Sequence, residues 1–191
     1  MGSDDFRRYL KPMDDPRILM GRGHTVENYG AQMLATDKAT WLKGVWEGLQ
    51  AEPFVGITTD GTARQGLYAP ADAGVGPAPA VAAALRLRGT LTEGQRARVS
   101  HALTSPAWRG WYNPEIPFND EGVRLEHMTD AGRAAFVDLL RACTSARGAE
   151  KVLQLFSANR YLGELYDLLN LMNEWSYHFL LFGEPSATAP W

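Results

Sequence analysis

Apolar residues recur at helical spacing in two long stretches of this chain. Within residues 26–50, an apolar stripe follows the spacing i, i+3, i+4 and i+7 at Leu42, Val45, Trp46 and Leu49, which predicts a helix. Residues 147–172 carry a longer seam that advances in alternating steps of three and four, through Leu155, Ala158, Leu162, Leu165, Leu169 and Met172. This seam predicts the longest helix of the protein, packed along those side chains.

Three shorter helices are predicted from composition and from capping residues. Residues 78–88 are rich in alanine, which has the highest helix propensity. Thr92 is followed by Gln95 at the spacing of a capping box, so a helix is expected over residues 92–102. Thr129 is expected to cap another helix that runs to about Cys143.

Short runs of β-branched and aromatic residues predict three or four strands. Residues 54–57 and 66–68 suit a hairpin with a turn at 58–61, residues 122–125 suit a short strand, and residues 175–182 suit an aromatic strand. Since helices dominate, the predicted fold class is α+β with an incomplete sheet. Residues 1–24, which mix proline, glycine and charges, are predicted to be an N-terminal arm before a single domain over residues 25–191.

The composition excludes several classes of function. The chain has 191 residues, of which 45% are hydrophobic, and this suits one domain with a sizeable core. Its 19 basic and 22 acidic residues are spread along the chain, so we expect neither a nucleic-acid nor a membrane partner. With no secretory signal and no long apolar run, we expect a cytoplasmic protein. Cys143, the only cysteine, cannot form an intramolecular disulfide and is expected in the core.

The densest cluster of chemically versatile residues spans positions 108–115. In a functional interpretation, Arg109 clamps an anionic group, Asn113 assists, and Trp108 and Trp111 form an apolar wall. In a structural interpretation, the rings are buried in a packed loop and Arg109 pairs with an acid. The residue pattern alone favours the structural interpretation, because structural ion pairs imitate sites.

Two further positions are candidates for binding or catalysis. Arg124 and Glu126 share one face if residues 122–126 are extended. They would either orient a substrate or form an exposed ion pair at a strand edge, and the second is the commoner arrangement. Asp60 is the candidate base, although aspartate before glycine is more often a turn residue.

The histidines do not predict a metal site. All four are far apart in sequence, and there is no HExxH motif. His178 is the best placed, since it shares a face of the predicted 175–182 strand with Ser176 and Leu180, although a structural role is commoner there. No dinucleotide, phosphate-loop or serine-hydrolase motif is present, so the sequence identifies no metal and no cofactor.

Several separated segments, taken in order, resemble one family. They are residues 54–61 with 66–68, 91–96, 108–113, 122–125, 144–148, 182–186 and 190–191. Together they resemble the domain-of-unknown-function family numbered 3500, over about residues 40–191. The resemblance favours Asp60, Arg109, Asn113 and Arg124 as members of one site.

The resemblance also implies a segment with adjacent histidines after the Pro-Trp dipeptide, and this sequence ends at Trp191. We therefore expect an open pocket near residues 108–113 and no complete family-type metal site. One hypothesis is an enzyme-derived domain that binds a small organic molecule, with the arginines favouring an anion. The alternative is a non-catalytic module that pairs with a second copy or a partner chain through the exposed edge of the 175–182 strand. The sequence leaves open whether the protein is an enzyme.

Overall fold

The structure is a computed structural model that describes residues 6–52, 62, 74–113, 119 and 121–191. The predicted 54–68 hairpin therefore lies outside the described residues, apart from Thr62. The helices are α1 (Pro16–Leu19), α2 (Val26–Leu34), α3 (Asp37–Ala51), α4 (Ala78–Thr90), α5 (Glu93–Val99), α6 (Asp130–Cys143) and α7 (Ala146–Tyr166). The strands are β1 (Ser100–His101), β2 (Val123–Arg124), β3 (His178–Phe179) and β4 (Leu181–Phe182), and short 3-10 turns span Phe6–Tyr9, Pro106–Arg109 and Leu125–His127.

Capping side chains fix where the helices begin. Thr92 accepts a hydrogen bond from the Gln95 backbone, and the Gln95 side chain accepts one from the Thr92 backbone, which is the predicted capping box of α5. Thr129 caps α6 as predicted. The predicted 26–50 helix is divided into α2 and α3, because Thr36 leaves the helical conformation and caps α3.

The longest helix, α7, ends at Tyr166 and not at Met172. Asp167 adopts a left-handed backbone with φ of 57°, and the Leu168 N–H turns back to the Gly163 carbonyl at 2.8 Å. The returning chain lies directly against α7, since a Cβ added at Gly163 would stand 1.8 Å from the Met172 carbonyl oxygen. Only a glycine at this position allows so close an approach.

The predicted seam of α7 is a packing face only in its second half, where Leu162, Leu165 and Met172 lie partly buried against an apolar cluster. Leu155 is 62% exposed and Leu169 is 45% exposed, whereas Ala149 and Phe156 are buried. The stripe of α3 is also largely at the surface, with Leu49 54% exposed. The helix predicted from the α3 stripe is confirmed, but only part of each apolar face is covered, because periodicity marks an apolar face and does not show whether another element packs on it.

Two apolar clusters hold the chain together. The larger one joins α4, α5, α6 and α7, and it contains the fully buried Leu87, Val99 and Leu125. The smaller one joins α1 and α2 to the end of α7 through Ile18, Val26 and the residues that follow the helix. Cys143, expected in the core, is exposed. Among the described helices, none combines the length and the apolar character that crossing a bilayer would require.

The predicted 175–182 strand is two short strands that pair with different partners. β3 pairs antiparallel with β2, with His178 opposite Arg124, and β4 pairs parallel with β1. Leu180 lies between them, where the chain passes from one ladder to the other. The described residues thus form a helix-dominated α+β fold with small, incomplete sheets, which confirms the predicted fold class.

Candidate functional site

A cavity of about 380 Å³ opens where the loop after the Pro106–Arg109 turn meets β2 and β3. Its volume lies within the range of ligand pockets, which is about 300–1,000 Å³. Aromatic side chains form much of the wall, namely those of Trp108, Trp111, Tyr112, Tyr177 and Phe182. Polar side chains are interspersed among them, namely those of Asn113, Asn119, Glu121, Arg124, Asn159, Ser176 and His178.

The structure brings together four of the six site residues proposed from the sequence. Trp108, Trp111, Asn113 and Arg124 line this cavity. Arg109 is not part of the lining, and Asp60 lies outside the described residues. An open cavity is therefore present near residues 108–113, where the sequence led us to expect one.

Arg109 is bonded to the end of α3. Its guanidinium donates to the carbonyls of Leu49 at 3.2 Å, Gln50 at 2.7 Å and Glu52 at 2.7 Å. These carbonyls have no partner within the helix, and a cation is favourable at the negative end of the helix dipole. Arg109 therefore anchors the aromatic loop to α3, and the rings of Trp46 and Tyr112, 6.3 Å apart, add a second contact.

Arg124 is a buried charge in the wall of the cavity. The residue is 6% exposed, and its Nε donates to Glu126 Oε1 at 2.5 Å. The Glu126 side chain is itself only 19% exposed, and its other oxygen accepts a hydrogen bond from Asn173. The predicted exposed ion pair at a strand edge is therefore wrong, since β3 covers β2 and the pair lies inside. Removing one partner of such a pair is costly, because the other charge stays buried.

His178 stands beside Arg124, because the two residues are direct partners in the β2–β3 ladder. Its ring meets the ring of Tyr112 edge-on at 5.7 Å. Burial, together with the nearby charge of Arg124, lowers the pKa of His178 to about 4, so the imidazole is neutral at pH 7. Ser176 and Leu180 line the same cavity, but so does Tyr177, so the lining does not follow the strict alternation predicted for this segment.

Sequence reasoning missed Glu121 and His101. Glu121 lines the cavity, and its Oε2 lies 3.2 Å from Nε2 of His101. The His101 ring stacks on Phe182 at 5.2 Å, because β1 runs parallel to β4. No local pattern marks this pair, since the two residues are twenty positions apart and meet only through tertiary packing.

Gly122 sets the direction of the chain between Glu121 and β2. It adopts φ of +76°, a backbone conformation that L side chains rarely adopt, and its N–H donates to the Arg98 carbonyl at 3.1 Å. A Cβ at this position would lie 2.7 Å from the Phe179 carbonyl oxygen. Glycine is therefore required both for the turn and for the close packing of β2 on β3.

The cavity wall combines apolar ring faces with groups that can form hydrogen bonds. Within the described ranges, no three side chains of histidine, cysteine, aspartate or glutamate gather in a way that could hold a metal. The aromatic wall offers ring faces to an apolar body, and the amides, Ser176, His178 and Arg124 offer hydrogen bonds.

Comparison with known proteins identifies a family for this chain. No curated protein and no solved structure matches this chain. A family described as "Protein of unknown function (DUF3500)" matches residues 74–191, a span that includes every described residue of the cavity wall. The match begins later than the resemblance seen in the sequence, which extended from about residue 40. The chain belongs to this DUF3500 family.

Proposed function

We propose that this protein binds a small organic acid with an aromatic or otherwise apolar body in the cavity beside residues 108–113. The observation that carries the proposal is the combination of five aromatic side chains with the buried guanidinium of Arg124 in one wall. Aromatic faces bind an apolar body, and a guanidinium is the side chain best suited to a carboxylate.

The charges around the cavity support an anionic group at the Arg124 end. His178 next to it is neutral, so it contributes a hydrogen bond without repelling or attracting charge. Glu126 holds the guanidinium from behind and is not part of the described lining. A guanidinium fixed in this way is pre-organised for a ligand that enters from the cavity.

The alternative function, pairing with another chain through the 175–182 segment, has less support from the geometry. β3 is paired with β2 and β4 with β1 inside the same chain. Each strand has one partner in a two-stranded sheet, so its pairing does not exclude this alternative, and we favour the cavity because its wall combines aromatic side chains with a buried guanidinium.

The proposal is tested by titrating the purified protein with aromatic carboxylates, from benzoate to indole-3-propionate, and with their matched amides. Isothermal calorimetry should detect binding of the acids. Each matched amide should bind more weakly, because the amide lacks the negative charge that would face Arg124. Equal binding of acid and amide would contradict the anionic part of the proposal, and no binding of any compound to the folded protein would contradict all of it.

Two variants locate the binding at the cavity. Trp111→Ala should weaken the binding of the acids, because the Trp111 ring lies in the cavity wall. Since this side chain is 79% exposed, its loss does not disturb the core. Trp41→Ala is the matched control, because Trp41 is 67% exposed on α3 and is not part of the described cavity wall. If both variants weakened binding equally, the ligand would be bound elsewhere.

A further inference from the structure

The cavity has a negative group as well as a positive one. Among its described lining residues, Glu121 and Arg124 carry charge at neutral pH, while His178 is uncharged. They are separated by Gly122 and by Val123, whose side chain is buried in the core. A single cavity wall thus presents a carboxylate and a guanidinium.

Each of these two charges is held by a partner behind the wall. Arg124 is paired with Glu126, and Glu121 is paired with His101 at 3.2 Å. Neither Glu126 nor His101 is part of the described cavity lining. Support of this kind fixes the orientation of a binding group.

His101 is itself held firmly, so it can position Glu121. Its side chain is only 14% exposed, its ring stacks on Phe182, and its Nε2 also lies 3.1 Å from the Arg98 carbonyl. The backbone N–H of Glu121 donates to Asn119, which in turn donates to the Gly110 carbonyl. The carboxylate is therefore held from its side chain and from its backbone.

We propose that the ligand is a small zwitterion, whose acidic group meets Arg124 and whose cationic group meets Glu121, with its apolar body against the aromatic wall. This rests on the proposed function and specifies its ligand class, since a simple organic acid would offer no cationic group to the Glu121 carboxylate in the wall. A molecule of the size and polarity of an aromatic α-amino acid fits both the two charges and the cavity of about 380 Å³.

The test compares three probes of the same shape by isothermal calorimetry. L-phenylalanine carries both charges, 3-phenylpropionate lacks the ammonium group, and phenethylamine lacks the carboxylate. Phenylalanine should bind at least about tenfold more tightly than either analogue, a difference of roughly 1.4 kcal/mol.

The variants separate binding from positioning. Glu121→Gln should lower the affinity for phenylalanine to that of 3-phenylpropionate and leave 3-phenylpropionate unchanged, because only the cationic end loses its partner. His101→Gln should reduce the same preference, in line with a positioning role. Glu184→Gln is the matched control, since Glu184 is an exposed carboxylate that pairs with Arg88 outside the cavity, and it should change nothing.

The outcomes distinguish this proposal from the one on which it rests. If 3-phenylpropionate binds and phenylalanine binds no more tightly, the proposal of a zwitterionic ligand is overturned, while the proposal of an organic-acid site is retained. If phenethylamine alone binds, or if no probe binds to the folded protein, both proposals are overturned.

Discussion

At the scale of single residues, glycine and histidine determine the shape and the charge of the cavity. Gly122 makes the turn that places Glu121 and β2 on the same wall, and its positive φ excludes most other residues. His178 supplies a neutral ring next to a charged one, because burial disfavours its cationic form. Each of these features leads to a direct prediction.

Substitution of Gly122 should destabilise the protein in two ways. Gly122→Ala forces a side chain into a left-handed backbone, which costs about 1–2 kcal/mol. It also places a Cβ 2.7 Å from the Phe179 carbonyl oxygen, and this overpacking costs about 1–3 kcal/mol more. Gly23→Ala is the control, since Gly23 has φ of +72° but no atom within 4 Å of its added Cβ. Urea denaturation should show the larger loss for Gly122→Ala, and equal losses would contradict the packing argument.

His178 should make stability depend on pH in a defined window. Its pKa is lowered from 6.5 to about 4 in the folded protein, so the unfolded chain takes up the proton more readily between these values. The contribution of the neutral ring is complete above about pH 6.5 and is lost as the pH falls towards 4. The free energy of unfolding, measured from pH 7.5 to pH 4.5, should fall more for the parent protein than for His178→Gln. If the free energy of unfolding fell equally with pH in the parent protein and in His178→Gln, the His178 ring would not be the source of the pH dependence.

At the scale of the elements, single contacts anchor or end helices in ways that their own sequences do not reveal. The end of α3 is bound by Arg109 from a loop almost sixty residues later. The end of α7 is set by a chain reversal that needs Gly163. In both cases a part of the chain outside the helix satisfies or approaches the helix backbone.

Arg109 should contribute to stability and not to the recognition of the acidic group. Arg109→Gln removes the charged donor from three carbonyls at the end of α3, and hydrogen bonds to a charged group are each worth about 1.5–3 kcal/mol. We expect a loss of about 1–2 kcal/mol, because part of this site is open to water. Arg86→Gln, at an exposed position of α4, is the control. Because Arg109 anchors the loop that borders the cavity but does not line it, the acids and their matched amides should lose affinity to the same extent, and a loss confined to the acids would restore the clamp role predicted from the sequence.

Two glycines in helices should respond to alanine with opposite signs. Gly163→Ala should destabilise the protein by about 1–3 kcal/mol or more, because the added Cβ meets the Met172 carbonyl oxygen at 1.8 Å. Gly44→Ala should stabilise it by about 0.5–1 kcal/mol, because nothing lies within 4 Å of a Cβ at that position of α3. Thermal and urea unfolding measure both. A loss of stability in Gly44→Ala would contradict the open position of Gly44 on the surface of α3.

At the scale of the whole molecule, the first described residues pack on the far end of the chain. The backbone N–H of Lys11 donates to the Tyr166 hydroxyl at 2.9 Å, and Arg22 donates to the Tyr166 carbonyl at 3.1 Å. The amide of Asn170 donates to the carbonyls of Gly21 and His24. These contacts, together with the smaller apolar cluster, connect residues 11–26 to the turn that ends α7.

Removing the Tyr166 hydroxyl should weaken this connection. Tyr166→Phe deletes the contact with Lys11 and should cost about 0.5–1.5 kcal/mol, the usual net value of one hydrogen bond. Tyr161→Phe on the same helix is the control, because Tyr161 is 41% exposed. Hydrogen exchange should show faster exchange at residues 11–26 in Tyr166→Phe alone, and equal exchange in both variants would contradict the assignment.

The sequence by itself determined the helices that begin with a local signal, the helix-dominated fold class and the aromatic loop that borders the cavity. Capping at Thr92 and Thr129 is predictable because it depends on residues within a few positions of one another. Only the tertiary structure decided which apolar faces are covered, that Arg124 is buried, that Arg109 anchors a helix, and that Glu121 meets His101. These features depend on the free energies of contact between segments far apart in the chain. The local pattern of residues does not specify which of those segments will pack together.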